Sequence, residues 1–264
     1  MTVAGVLQVS GSDAAAAVSD AEFQRLLGVP RGREVATEVA RRAGLARRWY
    51  EEHGRPFVAT RRLAIAAIGR DSVTLASGDV LAGPALADRL REGEAHALVV
   101  AAFSAGREVA DESARLWADE RPDEAYFLDR FAAAVAGQLV WRASAVLCAD
   151  ATAADEGLLA HLSPGCGRWD LSAQHALMAL LVGMPATEAR PAQVDVAGMS
   201  HQHGDAWSVG PIRLLESGAL HPQHSLLAAL GVTRRAIVVT PESSCRSCDL
   251  RHCRYRRAAY ARDC

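Results

Sequence analysis

The segment Ala97 to Phe103 constrains this chain more than any other. It is an unbroken apolar run of strand length. A strand that keeps no polar face must be buried on both sides, so other elements have to cover it above and below. The chain is long enough to supply that cover. Its 264 residues are 50% hydrophobic, enough to bury a substantial core without covalent staples.

The flanking segments supply helices and further strands in an irregular order. Ser19 to Leu27 reads as a short helix stopped by Gly28 and Pro30, and Arg33 to His53 as a longer one ending at Gly54. Arg61 to Gly69 and Ser72 to Leu75 read as strands around the turn Gly69-Arg70-Asp71. Pro84 to Glu92 and Ala105 to Asp119 read as helices. Asp123 to Cys148 reads as a long helix whose first turn is acidic, as the helix dipole favours. A further helix, capped by Asp170 or Ser172, runs to Leu181 and stops at Gly183. Ser208 to Leu215 and Arg235 to Thr240 are expected as strands, with the polar segment 192–207 irregular between helix and strand. No regular strand–helix–strand rhythm emerges, so the expected class is α+β rather than doubly wound α/β.

Charge excludes some functions. The 29 basic and 31 acidic residues leave a formal net charge of -2, with no electrostatic drive toward nucleic acid or an anionic membrane. Apolar runs such as Leu98 to Phe103 are far too short to span a bilayer. The first residues carry no basic group ahead of their apolar part, so no secretory signal is read and a cytoplasmic location is expected. The Gly-rich phosphate loops, H-E-x-x-H and G-x-S-x-G are all absent.

Three constellations remain. The segment His161-Leu162-Ser163-Pro164-Gly165-Cys166-Gly167 is a tight loop whose proline fixes one angle and whose glycines let the backbone approach a ligand closely. The same residues also suit a plain turn between helices. Of six cysteines, Cys245, Cys248, Cys253 and Cys264 crowd into the last twenty residues. Cys245-x2-Cys248-x4-Cys253 suits one metal ion or cluster, with Cys264, Cys166 or His252 as a fourth ligand. Arg246, Arg251, Arg254, Arg256 and Arg257 would favour thiolates there; the alternative is free thiols on a basic tail. His201, His203, His221 and His224 form a third group, as metal ligands or as ordinary surface histidines.

Taken in order, several segments resemble the reactivation domain of cobalamin-dependent methionine synthase in its stand-alone form. They are Phe23 to Gly28 (FQRLLG), Leu98 to Gly106 (LVVAAFSAG), Glu124 to Leu139 (EAYFLDRFAAAVAGQL), Leu162 to Gln174 (LSPGCGRWDLSAQ) and Ala219 to Leu226 (ALHPQHSL). The fourth, with its Ser-Pro-Gly, Trp and Gln, is the most specific. The resemblance implies a C-shaped domain over residues 1–240 with a twisted, mainly antiparallel sheet and flanking helices, followed by a Cys-rich tail over 241–264. It implies S-adenosylmethionine against His161, Ser163, Pro164, Gly165, Cys166 and Trp169, and a separate corrinoid protein as the methyl acceptor. Stand-alone members of that family also tend to end in a Cys-rich segment, and the spacing of Cys245, Cys248 and Cys253, with Cys264 as a fourth ligand, suits an iron–sulfur cluster or zinc there. This chain departs from the family at three places. His161 stands where the family has Arg, Cys166 where it has Tyr, and Gly137 and Gln138 where a helix carboxylate is found. The D-x-H-x-x-G pattern of a cobalamin module is absent, so a corrinoid would sit on a partner. Two other readings stay open: a metal-binding accessory protein without methyl-donor activity, and an S-adenosylmethionine-using enzyme acting on a small molecule.

Overall fold

A computed structural model describes residues 5–30, 32–183, 208–237 and 245. The doubly buried run becomes strand β5 (Ala95–Ser104), with nine of its ten residues buried. Its neighbours are β2 (Phe57–Ile68) on one side and β10 (Ser225–Thr233) on the other, both antiparallel to it. Around them lie β1 (Gly5–Leu7), β3 (Ser72–Leu75), β4 (Val80–Ala82) and β6 (Gly157–Leu158). The sheet order is β4-β3-β2-β5-β10-β6, with β1 also pairing β2. Every pairing is antiparallel, and the sheet curls into a half-barrel flanked by helices. The expected α+β class and architecture are thus observed. A small separate sheet holds β7 (Ser208–Val209), β8 (Ile212–Leu214) and β9 (Leu220–His221).

Alternation along β5 and β10 divides the core in two. Ala97, Val99, Ala101 and Phe103, with Ala228, Leu230 and Val232, face one layer. That layer holds α1 (Gly11–Ala16), α2 (Asp20–Leu26), α3 (Thr37–His53), α5 (Arg107–Ala118) and α6 (Pro122–Ala153). Leu98, Val100 and Ala102, with Leu227 and Ala229, face the other, covered by α4 (Pro84–Glu92), α7 (Ala173–Val182) and the small sheet. Each fully buried Leu, Val or Phe contributes about 1.5–3 kcal/mol relative to exposure, so the central strands supply both cores at once. Tyr50 on α3 is fully buried, and its hydroxyl donates to the Ala105 carbonyl at 2.6 Å, fixing α3 to the end of β5. Burial, and then the nearby Glu108 charge, pushes its pKa up.

Several sequence expectations shift. The strand expected at Arg235 to Thr240 lies earlier, at Ser225–Thr233; Arg235 is past its end, and 238–240 lie outside the described residues. The reason is burial. SLLAALGVT carries no charge and fits between two cores, whereas Arg234 and Arg235 do not; Leu and Ala give little strand signal of their own. Gly231 inside this strand makes room for two leucines, since a Cβ there would lie 2.5 Å from Leu159 and 2.6 Å from Leu90. The strand expected over Ser208 to Leu215 is a hairpin, turned by Gly210 at φ +57° against the Phe57 ring. Ahead of the first expected helix, Gly11–Ala16 forms another, capped by the Ser10 hydroxyl on the Asp13 N–H. Helix α6 runs 32 residues and is long and apolar enough to cross a membrane by length and composition, which the short apolar runs did not suggest. In the fold it packs its buried stripe, including Leu128, Phe131, Val135 and Leu139, into the helical-side core.

After α6 the chain turns at Asp155 (φ +56°), and Glu156 takes a two-pronged ion pair from Arg62 on β2, both contacts at 2.7 Å. His96 on β5 adds a third contact at 2.8 Å. Arg62 first, and then His96, hold the Glu156 carboxyl at about 2, against an ordinary 4.5. The folded state therefore favours the ionised form. Its stabilisation is complete above about pH 4.5 and is lost as pH falls toward 2. Glu156→Gln is expected to lower the urea midpoint at neutral pH and to flatten the loss of stability between pH 4.5 and 2. Denaturant titrations across that window measure both effects.

Candidate functional site

The loop expected from Ser-Pro-Gly forms at the open edge of the sheet. Its entry strand β6 pairs with the end of β10, and Leu159 N–H then donates to the Gly231 carbonyl at 2.8 Å. Leu162 exchanges two hydrogen bonds with Ala229, at 2.9 and 2.8 Å. Beyond that anchor the chain turns sharply. Cys166 N–H donates to the Ser163 carbonyl at 3.1 Å across Pro164 and Gly165, and Gly165 has φ +86°. Proline second and a positive-φ glycine third define a type II turn, the geometry this sequence favours. Gly167, at φ +58°, makes a second left-handed step. The loop closes where Gly165 N–H donates to the Trp169 carbonyl at 2.8 Å and Trp169 N–H to the Cys166 carbonyl at 3.3 Å.

Side chains around this turn divide by burial. Ser163, Pro164 and Trp169 are buried, while Gly165, Gly167 and Arg168 are exposed and His161 and Cys166 half-buried. Trp169 is 1% exposed and donates its indole N–H to the Ala82 carbonyl at 3.1 Å, so it holds the loop from beneath. Gly83 leaves the room for it: a Cβ there would lie 2.4 Å from the indole Cδ1. His161 meets Trp141 of α6 edge to face, with centroids 5.6 Å apart. Arg168 pairs with Asp88 of α4. Asp88 also accepts from Arg91 at 2.9 Å, and Arg91 foremost keeps its carboxyl below the ordinary range.

Helix α7 follows directly. Asp170 accepts the Ser172 N–H at 2.8 Å; the Ser172 side chain first, and then that N–H, hold its carboxyl low, and Gly183 ends the helix at φ +86°. Arg61 of β2 reaches the other end and donates to the Leu180 carbonyl. Gln174 in the first turn is 7% exposed, and its amide oxygen has no partner among the described residues. On α6, Gln138, where the family pattern has a carboxylate, donates its amide to Glu22 of α2. A carboxylate thus stands beside that position, brought from another helix. Trp141, Asp88 and Glu22 carry no signal in the sequence, because each reaches its neighbour only through the fold.

The other candidates are placed less completely. Cys245 is half-buried; Cys248, Cys253 and Cys264 lie outside the described residues, as do His201 and His203. Among the described residues no group of three His, Cys, Asp or Glu side chains is arranged to hold a metal. His224 Nε2 lies 3.2 Å from Asp129 of α6, and Gln223 donates to the same oxygen at 3.1 Å. A cleft of about 550 Å³ opens on the helical side between α3, α5 and α6, beside Trp49 and His53. It shares no lining residue with the loop, and Arg42, Arg115 and Arg121 on its rim are each paired with carboxylates.

No protein-family model matches the chain, and no curated protein matches it by sequence. By structure it is similar to the MetH reactivation domain, solved as a crystal structure bound to AdoHcy. The TM-score is 0.60, over 90% of this chain and 81% of that one. The two share a fold. Sequence identity is 12%, so the likeness stands on architecture and not on shared residues.

The packing beneath the loop yields a stability prediction. Trp169→Ala is expected to cost about 3–5 kcal/mol, the range for deleting a buried aromatic ring. Gly83→Ala is expected to destabilise by displacing the same ring. Urea unfolding of both variants measures this, and wild-type midpoints would show that the indole does not anchor the loop.

Proposed function

We propose that this protein binds S-adenosylmethionine along the loop from His161 to Trp169 and supports reductive methylation of a separate corrinoid protein. The observation that carries the reading is the shared fold with a reactivation domain that was solved holding AdoHcy. The type II turn at Ser163 to Cys166 supports it, since Gly165 and Gly167 bare the backbone at the sheet edge. A sulfonium methyl is already activated, and reduced cobalt is a strong nucleophile, so binding and alignment suffice without an acid–base pair. The methyl group passes from sulfur to cobalt(I), which supplies the electron pair, and neutral S-adenosylhomocysteine leaves. An external low-potential reductant supplies the electron that forms cobalt(I) from cobalt(II).

Calorimetry with S-adenosylmethionine tests the binding step. Gly165→Val places a β-branched residue at φ +86° and is expected to abolish binding while the melting profile stays cooperative. Unchanged affinity in that variant would remove the loop from the site. Mixed with a cob(II)alamin-loaded corrinoid protein, reductant and S-adenosylmethionine, the protein is expected to speed the appearance of the methylcobalamin spectrum. No acceleration with any corrinoid partner from the same cell would end the reactivation role.

The tail is assigned a metal on its spacing. Cys245, Cys248 and Cys253 sit on one short segment with flanking arginines that favour thiolate, and Cys264 is the fourth candidate. Anaerobically purified protein is expected to carry iron with a visible charge-transfer band, or stoichiometric zinc, and Cys248→Ser to lose it. Metal-free protein under both aerobic and anaerobic preparation would leave the tail as free thiols.

A further inference from the structure

We infer that the cleft between α3, α5 and α6 is a second binding site, for a free α-amino acid with a planar apolar side chain. Its volume of about 550 Å³ lies in the range of small-molecule sites. It shares no lining residue with the loop over 161–169, so the inference is independent of the S-adenosylmethionine reading. The buried Leu116 of α5 and Leu128 of α6 line it, with the exposed Leu45 of α3. Trp49 of α3 adds an aromatic wall. The His53 ring stacks on its indole, with centroids 5.0 Å apart and planes at 19°. His53 Nδ1 also donates to the Trp49 carbonyl at 2.9 Å. The stack limits the movement of the indole before a ligand arrives, and an indole packs well against another flat ring.

Charge decides the class of ligand. Arg42 pairs with Glu38 and Asp123, Arg115 with Glu112 and Asp119, and Arg121 with Glu124. Those groups are neutralised where they stand. Arg48 and Glu52 also line the cleft, and their side chains make no ion pair or hydrogen bond among the described residues. They stand one turn apart on α3, flanking Trp49 in the chain. With Arg ahead of Glu, their order is the less favourable one for pairing with each other across a turn. A zwitterion answers both charges at once. Its carboxylate accepts two N–H bonds from the Arg48 guanidinium, its ammonium donates to the Glu52 carboxylate, and its side chain packs on Trp49 and Leu116. Residues one turn apart have Cβ atoms about 5–6 Å from each other, a separation that two long side chains close onto groups carried by one carbon. A simple anion meets the Glu52 charge and a simple cation the Arg48 charge, so each is the poorer ligand.

The test removes one charge at a time from ligand and protein. L-phenylalanine carries both charges, 3-phenylpropionate lacks the ammonium and phenethylamine lacks the carboxylate. By calorimetry the wild-type protein is expected to bind L-phenylalanine more tightly than either analogue. Arg48→Gln is expected to weaken L-phenylalanine and 3-phenylpropionate about tenfold, the size of one charge-assisted contact, and to spare phenethylamine. Glu52→Gln is expected to weaken L-phenylalanine and phenethylamine and to spare 3-phenylpropionate. Both side chains are exposed and unpaired, so the melting profile is expected to stay that of the wild-type protein. Equal losses for all three ligands, no loss in either variant, or no binding of L-phenylalanine by the wild-type protein would overturn the site.

Discussion

The pairing of β5 between β2 and β10 is the constraint on which the rest depends. Because β5 has no polar face, the sheet needs a layer on each side, and the two layers do different work. The helical layer, with α6 packed along it, gives bulk and rigidity. The thinner layer of α4, α7 and the small sheet leaves an edge where β10 is paired only in part, by the two residues of β6 and the Leu162 bridge. The loop grows from that incomplete edge. Its backbone satisfies β10 donors and acceptors that a full strand would otherwise have covered, so it serves the sheet whatever else it binds.

Much of this fold was legible in sequence, for reasons that differ by element. The helix Pro84–Glu92 was found to the residue, because proline opens it and Gly93 closes it. The helix read from Ser19 opens one residue later, at Asp20, because the Ser19 hydroxyl accepts the Glu22 N–H and caps it. Strand β10 was misplaced because its residues are leucine and alanine, which favour helix locally, and only burial between two cores makes them extended. The hairpin at Gly210 read as one strand because its turn is set by the Phe57 ring, remote in sequence.

The candidate loop was legible in its backbone and opaque in its surroundings. Ser163, Pro164 and Gly165 specify a type II turn by local sterics alone, so three letters suffice. Trp141 beside His161, Asp88 beside Arg168 and Glu22 beside Gln138 arise from contacts between elements far apart in the chain. No local pattern encodes such meetings. They explain why a motif reading located the loop yet missed every side chain that faces it from another element.

This division bears on what the motif itself means. Residues that agree with the family pattern are those the loop needs in order to exist: Pro164 and Gly165 for the turn, Ser163 as its buried first residue, and Trp169 as the buried anchor. Residues that depart from it, His161 and Cys166, are half-buried, and Cys166 serves the turn through its backbone, its N–H on the Ser163 carbonyl and its carbonyl on the Trp169 N–H, which prescribes no particular side chain there. The agreement is therefore a statement about loop shape, and the departures fall where that shape does not dictate the side chain. A loop can keep its shape while the side chains on its surface change, because shape and surface chemistry are set by different residues. Here the exposed Arg168 lies one residue from the indole anchor that fixes the turn. The backbone of the turn is held from beneath by that indole, so the exposed side chains above it can change without unfolding the loop.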